Sequence, residues 1–127
     1  SGARTWAVLG DLALFHDIGG LASLQHAPEL HLIVIDNAGG GIFHFLPQAE
    51  AMDEAEFEAL LGTPAGRDPA EAARLFDLTV AVPETPAELE DALAGDAQMI
   101  VVRTDRARNL ELHRELSRLA AAAAPRT

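Results

Sequence analysis

Two short apolar runs, each followed closely by an acidic residue, constrain the fold of this chain more than any other feature. Residues 6–9 lead through a glycine into Asp11, and residues 32–35 lead directly into Asp36. Unbroken apolar runs of this length are typical of strands that are buried on both faces of a parallel sheet. The sequence therefore predicts an α/β fold with two fully buried strands, and it places both acids at the carboxyl edge, where open α/β sheets bind ligands.

Segments with helical spacing separate the apolar runs along the chain. Asp68 before Pro69 has the form of a helix N-cap followed by proline at the first helical position. Thr85, with Glu88 three positions later, fits a capping box. Helices are predicted over residues 14–25, 53–61, 68–76, 85–93 and 109–124, the last with Leu110, Leu112, Leu116 and Leu119 facing inward, and further strands over residues 78–82 and 99–102. This alternation predicts right-handed crossovers and a mostly parallel sheet with helices on both faces.

The composition excludes several kinds of partner and chemistry. The chain has 127 residues and a net charge of -11, which argues against nucleic acid or an anionic membrane as a partner. It contains no cysteine, so disulfides, thiolate metal sites and a cysteine nucleophile are excluded. No apolar run reaches the ~20 residues of a membrane span, and no signal-peptide pattern is present. We therefore expect a cytoplasmic protein in which backbone N–H groups and a metal would hold any phosphate ligand.

Oxygen-bearing side chains and a glycine turn follow the first two predicted strands. The interval between Asp11 and Asn37 suits one strand–helix–strand crossover, so both residues can lie at the same edge of the sheet. Their side-chain oxygens and a main-chain carbonyl from the turn at residues 39–41 would supply three of the six oxygens that Mg²⁺ prefers, with a diphosphate and water supplying the others. The alternative is that Asp11 caps the following helix and Asn37 forms only an Asx turn. Spacing alone does not separate these two interpretations.

Other candidate residues have simpler explanations. The pair His16 and Asp17 could act as a base or bind a metal, but a His–Asp pair near a helix start is more often a structural contact. His44 lies among apolar residues that could line a substrate pocket or belong to the core. The standard glycine fingerprints for dinucleotides and P-loops are absent, as is a serine-hydrolase elbow.

Taken together, these residues resemble the thiamine-diphosphate enzymes, whose motif is GD followed after a similar interval by NN. Gly10 and Asp11, then Asp36 and Asn37, match that motif. The stretch GGGIFHFLPQ from residue 39 and the stretch LGTP from residue 61 narrow the resemblance to the MenD family, the 2-succinyl-5-enolpyruvyl-6-hydroxy-3-cyclohexene-1-carboxylate synthases of menaquinone biosynthesis. The likeness covers nearly the whole chain.

The resemblance implies a reaction, a cofactor and a set of site residues. MenD enzymes are transferases that use thiamine diphosphate and Mg²⁺ to decarboxylate 2-oxoglutarate and add the succinyl unit to isochorismate, in an active site formed between subunits of a homo-oligomer. No catalytic side chain is assigned to this stretch. The implied positions are Asp11, Asn37 and the Gly39 carbonyl for the metal; Asp11, Leu12, Asn37, Gly39 and Ile42 for the cofactor; and Ile42, Phe43 and Leu46 for the substrate pocket.

Two departures from the family pattern qualify this implication. Asp36 replaces the first asparagine of NN, a position that is not the side-chain ligand. Family members are several times longer, and the glutamate that activates the cofactor lies in a pyrimidine-binding domain with no counterpart here. We therefore expect residues 1–127 to form the C-terminal part of the thiamine-diphosphate-binding domain, inactive by itself. Alternatives are another thiamine-diphosphate lyase or decarboxylase, one subunit of a split enzyme, or a non-catalytic α/β assembly module.

Overall fold

Four parallel strands form one sheet in this chain, of which a computed structural model describes residues 4–123, apart from the side chain of Gln48. The strands are β1 (Thr5–Gly10), β2 (Leu30–Asp36), β3 (Val80–Ala81) and β4 (Met99–Arg103), in the spatial order β1-β2-β4-β3. The helices are α1 (Asp11–His16), α2 (Gln48–Ala51), α3 (Glu54–Phe57), α4 (Pro69–Leu75), α5 (Pro86–Ala94) and α6 (Arg106–Ala123). Two 3-10 segments (Ile18–His26 and Gly41–Phe45) and a π turn (Glu58–Gly62) lie between them. The predicted α/β class with a parallel sheet is confirmed.

The register of the strands aligns their carboxyl ends. Gly10 at the end of β1 lies opposite Ile35, and Asp36 at the end of β2 lies opposite Arg103. The start of α1 and the turn after β2 therefore share one edge of the sheet, as the spacing of the two acids predicted.

The main core lies on one face of the sheet. Leu32 and Val34 of β2 alternate with residues of the other face, as do Met99 and Val101 of β4, and all four are buried. They pack against apolar side chains from α1, the first 3-10 segment and α4, namely Leu14, Leu21, Leu24, Ala70, Ala72 and Ala73. These helical segments thus hold the first residue of α1 against the sheet edge.

The opposite face is covered unequally. The connection from β3 to β4 crosses the sheet in the reverse direction to that from β1 to β2, and because parallel crossovers are right-handed, α5 belongs on the other face from α1. On β1, however, Val8 is 67% exposed. The prediction of a fully buried first strand is wrong, because β1 is an edge strand and Val8 on its outer face remains exposed.

Both predicted helix caps are confirmed. The Asp68 carboxylate accepts a hydrogen bond from the Ala70 N–H at 2.8 Å, with Pro69 in the first helical position. Thr85 and Glu88 form the reciprocal capping box, with each side chain accepting a hydrogen bond from the other's backbone N–H at 3.2 Å. Local sequence signals therefore fixed where α4 and α5 begin.

Two predicted helices are interrupted. The segment at residues 14–25 forms only the end of α1 and then a 3-10 segment, since two glycines follow the break at Asp17. The segment at residues 53–61 forms α3 and then the π turn, in which the Thr63 N–H donates to the Glu58 carbonyl at 2.7 Å. This wide turn positions Gly62, which lies beside the candidate site.

The terminal helix differs most from its prediction. α6 begins at Arg106, three residues before the predicted start. Its side chains Leu112, Leu116 and Leu119 are about half exposed instead of facing the core. The inward orientation is wrong because α6 contacts chiefly the Gly41–Phe45 segment and does not lie on the sheet. The predicted last residue, Ala124, is outside the described residues. Neither α6 nor any other helix within residues 4–123 is long and apolar enough to cross a membrane.

Candidate functional site

A buried carboxylate lies at the end of β1. Asp11 is the first residue of α1 and is only 3% exposed. Burial raises the pKa of Asp11, and the negative charge of Asp36 raises it further. The backbone N–H groups of Leu12 and Gly39 act in the opposite direction and lower the pKa. The structure thus brings Asp11, Leu12 and the glycine turn together, although they come from two different strand ends.

Asp36 is held by contacts on both sides. Its carboxylate accepts a hydrogen bond from the Ala38 N–H at 3.2 Å, which forms an Asx turn. It also lies 3.8 Å from the guanidinium of Arg103, which in turn pairs with Asp68 at 2.8 Å. The acid that departs from the family motif therefore belongs to an ion-pair chain linking β2, β4 and the cap of α4. The sequence assigns no role to Arg103, which belongs to a segment that resembles the family, because only the strand register places it opposite Asp36.

The glycine turn packs directly against another backbone segment. Gly39 has a φ of +130°, and a Cβ atom there would clash with the Gly62 carbonyl oxygen. The Gly40 N–H donates to the same Gly62 oxygen at 2.6 Å, and a Cβ atom on Gly40 would clash with the Leu61 carbonyl. Both positions therefore require glycine, for conformation at Gly39 and for space at both.

Asn37 carries an unsatisfied acceptor. Its amide oxygen Oδ1 is buried and has no hydrogen-bond partner among the described residues. On the other side of the amide, Nδ2 lies only 2.6 Å from where a Cβ atom of Gly41 would be. A buried carbonyl oxygen without a partner is costly, so a group that bonds to Oδ1 would offset that cost.

Asp11 and Asn37 line neighbouring crevices. Asp11 and Asp36 line an open crevice of about 350 Å³. Asn37, His44 and Arg106 line a second crevice of about 290 Å³, and Ala38 borders both. The two side chains are thus brought to one region of the sheet edge but not into a single closed cavity.

The residues present suit a magnesium ion. No group of three or more acidic, histidine or cysteine side chains that could hold a metal occurs within the described residues 4–123. The predicted set is different in kind, because it combines one carboxylate with a neutral amide oxygen and a main-chain carbonyl. The unpartnered Asn37 oxygen and the side-chain-free turn at Gly39 fit such a set, which needs phosphate oxygens to complete it.

The predicted pocket residues lie on an open surface. Ile42 is 72% exposed and Leu46 is 42% exposed, whereas Phe43 is half-buried against Gly40. His44 instead packs edge-on against Phe57, with ring centroids 4.5 Å apart, and its buried Nδ1 has no partner among the described residues. Of the other candidate pair, His16 and Asp17 are both exposed.

The raised pKa of Asp11 predicts whether the protein becomes more or less stable when this carboxylate is replaced. A carboxyl whose pKa is higher in the folded state than in the unfolded chain costs stability as pH rises above the unfolded-state pKa, and the cost is complete above the folded-state pKa. In the presence of a metal chelator, Asp11→Asn is therefore expected to raise the Tm at neutral pH. The gain should shrink as pH falls and vanish below the unfolded-state pKa, where the wild-type carboxyl is protonated in both states.

Thermal unfolding at several pH values would measure this difference. Asp17→Asn is the matched control, because it removes an exposed aspartate from the other end of α1 and should leave the Tm nearly unchanged. A Tm for Asp11→Asn below that of the wild type at neutral pH would contradict the account of a costly buried charge.

Comparisons with known proteins point to one group of enzymes. The chain is 46% identical over 114 residues to the 2-succinyl-5-enolpyruvyl-6-hydroxy-3-cyclohexene-1-carboxylate synthase of Salinibacter ruber, a match that covers 86% of this chain and 19% of that protein. It is 44% identical over 126 residues to the synthase of the same name from Rubrobacter xylanophilus, covering 95% of this chain and 21% of that protein. The chain thus spans about one fifth of the length of these curated relatives. No family model matches it.

A solved structure shares the fold. The benzoylformate decarboxylase from Polynucleobacter necessarius superposes with a TM-score of 0.64 at 17% sequence identity, covering 81% of this chain and 20% of that one. At this level of identity the match supports the architecture of the sheet and helices.

Proposed function

We propose that this chain is the part of a 2-succinyl-5-enolpyruvyl-6-hydroxy-3-cyclohexene-1-carboxylate synthase that holds Mg²⁺ and the diphosphate. The chain is homologous to these synthases over about one fifth of their length. In this proposal, residues 1–127 are the C-terminal part of a thiamine-diphosphate-binding domain. The observation that carries it is the edge shared by buried Asp11, the unpartnered Asn37 oxygen and the Gly39 turn.

The proposed ligands make different contributions to the binding of a metal diphosphate. Asp11 supplies the single negative charge, and Asn37 and the Gly39 carbonyl supply neutral oxygens, so phosphate oxygens can complete both the shell and the charge balance. Burial and the negative charge of Asp36 both raise the pKa of Asp11, and a cation bound at the carboxylate would offset both effects. Leu12 and Ile42 are the proposed contacts to the cofactor.

Thiamine diphosphate, when bound, supplies the carbanion chemistry, and the protein's contribution is to bind and orient it. We propose that the exposed side chains Ile42 and Leu46, with Phe43, exclude water from the substrate side of the cofactor once the remainder of the enzyme covers them. The proposed substrates are 2-oxoglutarate and isochorismate, in menaquinone biosynthesis in the cytoplasm, with the active site completed in a homo-oligomer. No residue of this chain is proposed as a catalytic acid or base.

The proposal predicts weak binding and no turnover for the 127-residue chain by itself. Titration calorimetry should show binding of thiamine diphosphate only with Mg²⁺ present, with a Kd near 1 mM, equivalent to about 4 kcal/mol. Thiamine without the diphosphate is the matched control and should not bind. Synthase activity from this polypeptide alone would contradict the proposal that substrate-binding and activating groups lie outside it.

A second thiamine-diphosphate activity is the alternative, and the comparisons favour the synthase over it. Identity to the synthases is 35–46% across several organisms, whereas the benzoylformate decarboxylase matches at 17%. A non-catalytic assembly module would have no physical need to keep, at one edge of the sheet, both a buried acid of raised pKa and an amide oxygen that lacks a partner within residues 4–123.

A further inference from the structure

An ion pair lies beside the glycine turn and lines the same crevice as Asn37. Arg106, the first residue of α6, donates from Nη2 to the Glu58 carboxylate at 2.8 Å. The two side chains are 15% and 30% exposed, so this pair is more covered than any other ion pair found among the described residues. Partial burial limits the positions that the two side chains can take, although Arg106 Nη1 has no hydrogen-bond partner among the described residues.

Gly62 connects this pair to the turn. A Cβ atom on Gly62 would lie 2.6 Å from the Glu58 carboxylate and 2.9 Å from Arg106 Nη1, so the pair occupies one side of the Gly62 backbone. On the other side, the Gly62 carbonyl accepts the Gly40 N–H at 2.6 Å and abuts Gly39. The contacts therefore form a continuous chain from α6 through the π turn to the proposed metal ligand Gly39.

Arg106 also reaches the turn directly. Its Cγ atom lies 3.8 Å from where a Cβ atom of Gly41 would be, and Arg106 and Glu58 line the same crevice as Asn37. The Arg106 charge would oppose a cation at Asn37, and Glu58 neutralises it. The pair thus supports the turn sterically without adding net positive charge beside it.

We infer that Arg106 and Glu58 are positioning residues, which hold the turn at residues 37–41 in the conformation that binds the metal diphosphate. This inference rests on the proposed function for its metal, but its mechanical part concerns the Gly40–Gly62 hydrogen bond and can be measured without any ligand. Supporting residues of this kind typically change metal affinity by about 10–100-fold when they are replaced.

Amide hydrogen exchange in the metal-free chain tests the mechanical part. The readout is the exchange rate of the Gly40 amide relative to that of Val101, a fully buried residue of β4 that lies outside the contact chain. Arg106→Gln is expected to raise this ratio by about tenfold. The control is Arg114→Gln, which removes a pair of the same 2.8 Å length whose side chains are 60% and 73% exposed and which should leave the ratio unchanged.

Calorimetry with Mg²⁺ and thiamine diphosphate tests the functional part. Arg106→Gln should weaken binding about tenfold or more, Arg106→Lys should restore part of it by keeping the charge without the planar fork, and Arg114→Gln should have no effect. If Arg106→Gln does not fold, Arg106→Lys is used for the exchange measurement, with a smaller rise in the same ratio expected.

The possible outcomes separate the two proposals. A raised Gly40 ratio in a protein whose wild type does not bind the metal diphosphate would support the positioning role and overturn the proposed function. Wild-type binding together with an unchanged Gly40 ratio and unchanged affinity in the Arg106 variants would overturn the positioning role alone.

Discussion

Asp11→Ala is expected to abolish Mg²⁺-dependent binding of thiamine diphosphate to this chain. Asp11 is the only acidic side chain in the proposed ligand set, so its loss removes both an oxygen and the charge that compensates the metal. The measurement is titration calorimetry at matched Mg²⁺ concentrations. Unchanged binding would refute the metal assignment.

Two companion variants make this loss interpretable. Asp17→Ala removes an exposed aspartate six positions away and should leave binding intact, which excludes a general effect of net charge. Asp11→Asn keeps the size of the buried side chain and should also lose most of the binding, while its metal-free stability rises. Loss of binding together with gain of stability is the signature of a charge that is kept for a ligand rather than for the fold.

Gly39→Ala is expected to lose both stability and binding. At a φ of +130°, a residue with a side chain is strained, and the added Cβ atom would clash with the Gly62 carbonyl. Strain of this type costs about 1–3 kcal/mol, which corresponds to a fall of several degrees in the Tm of a small domain. The displaced turn would also move the Gly39 carbonyl away from the proposed metal.

Gly19→Ala is the matched control for this variant. A Cβ atom at Gly19 meets nothing within 4 Å, and Gly19 lies in an exposed part of the first 3-10 segment. Its substitution should leave binding unchanged and the Tm equal or higher, because alanine reduces the entropy of the unfolded chain. Equal behaviour of the two alanine variants would contradict the assigned role of the turn.

Features set by neighbouring residues in the sequence were predictable. The caps at Asp68 and Thr85 depend on residues two or three positions away, and the apolar runs of β2 and β4 depend on their own composition. The shared edge of Asp11 and Asp36 followed from a single crossover in a parallel sheet. The caps and apolar runs are local signals, and the shared edge depends on a single right-handed crossover.

Features set by distant packing were not predictable. The exposure of β1 depends on its place at the sheet edge, and the exposed Leu112 of α6 depends on where that helix docks. The Arg103–Asp36 pair joins residues 67 positions apart and the Arg106–Glu58 pair joins residues 48 positions apart, and no periodicity or spacing marks either pair in one sequence. Position 36 is asparagine in the family motif and aspartate here. Only the contact between Asp36 at the end of β2 and Arg103 at the end of β4 explains the aspartate.

The most direct test of the proposed site uses Mn²⁺ in place of Mg²⁺ and follows paramagnetic broadening of backbone amide signals by NMR. With thiamine diphosphate present, the amides of Leu12, Asn37 and Gly39 are expected to broaden first, and Asp11→Ala is expected to remove this effect. Broadening confined to other acidic segments, such as α5, with the signals of Leu12 and Gly39 unaffected, would contradict the proposed site.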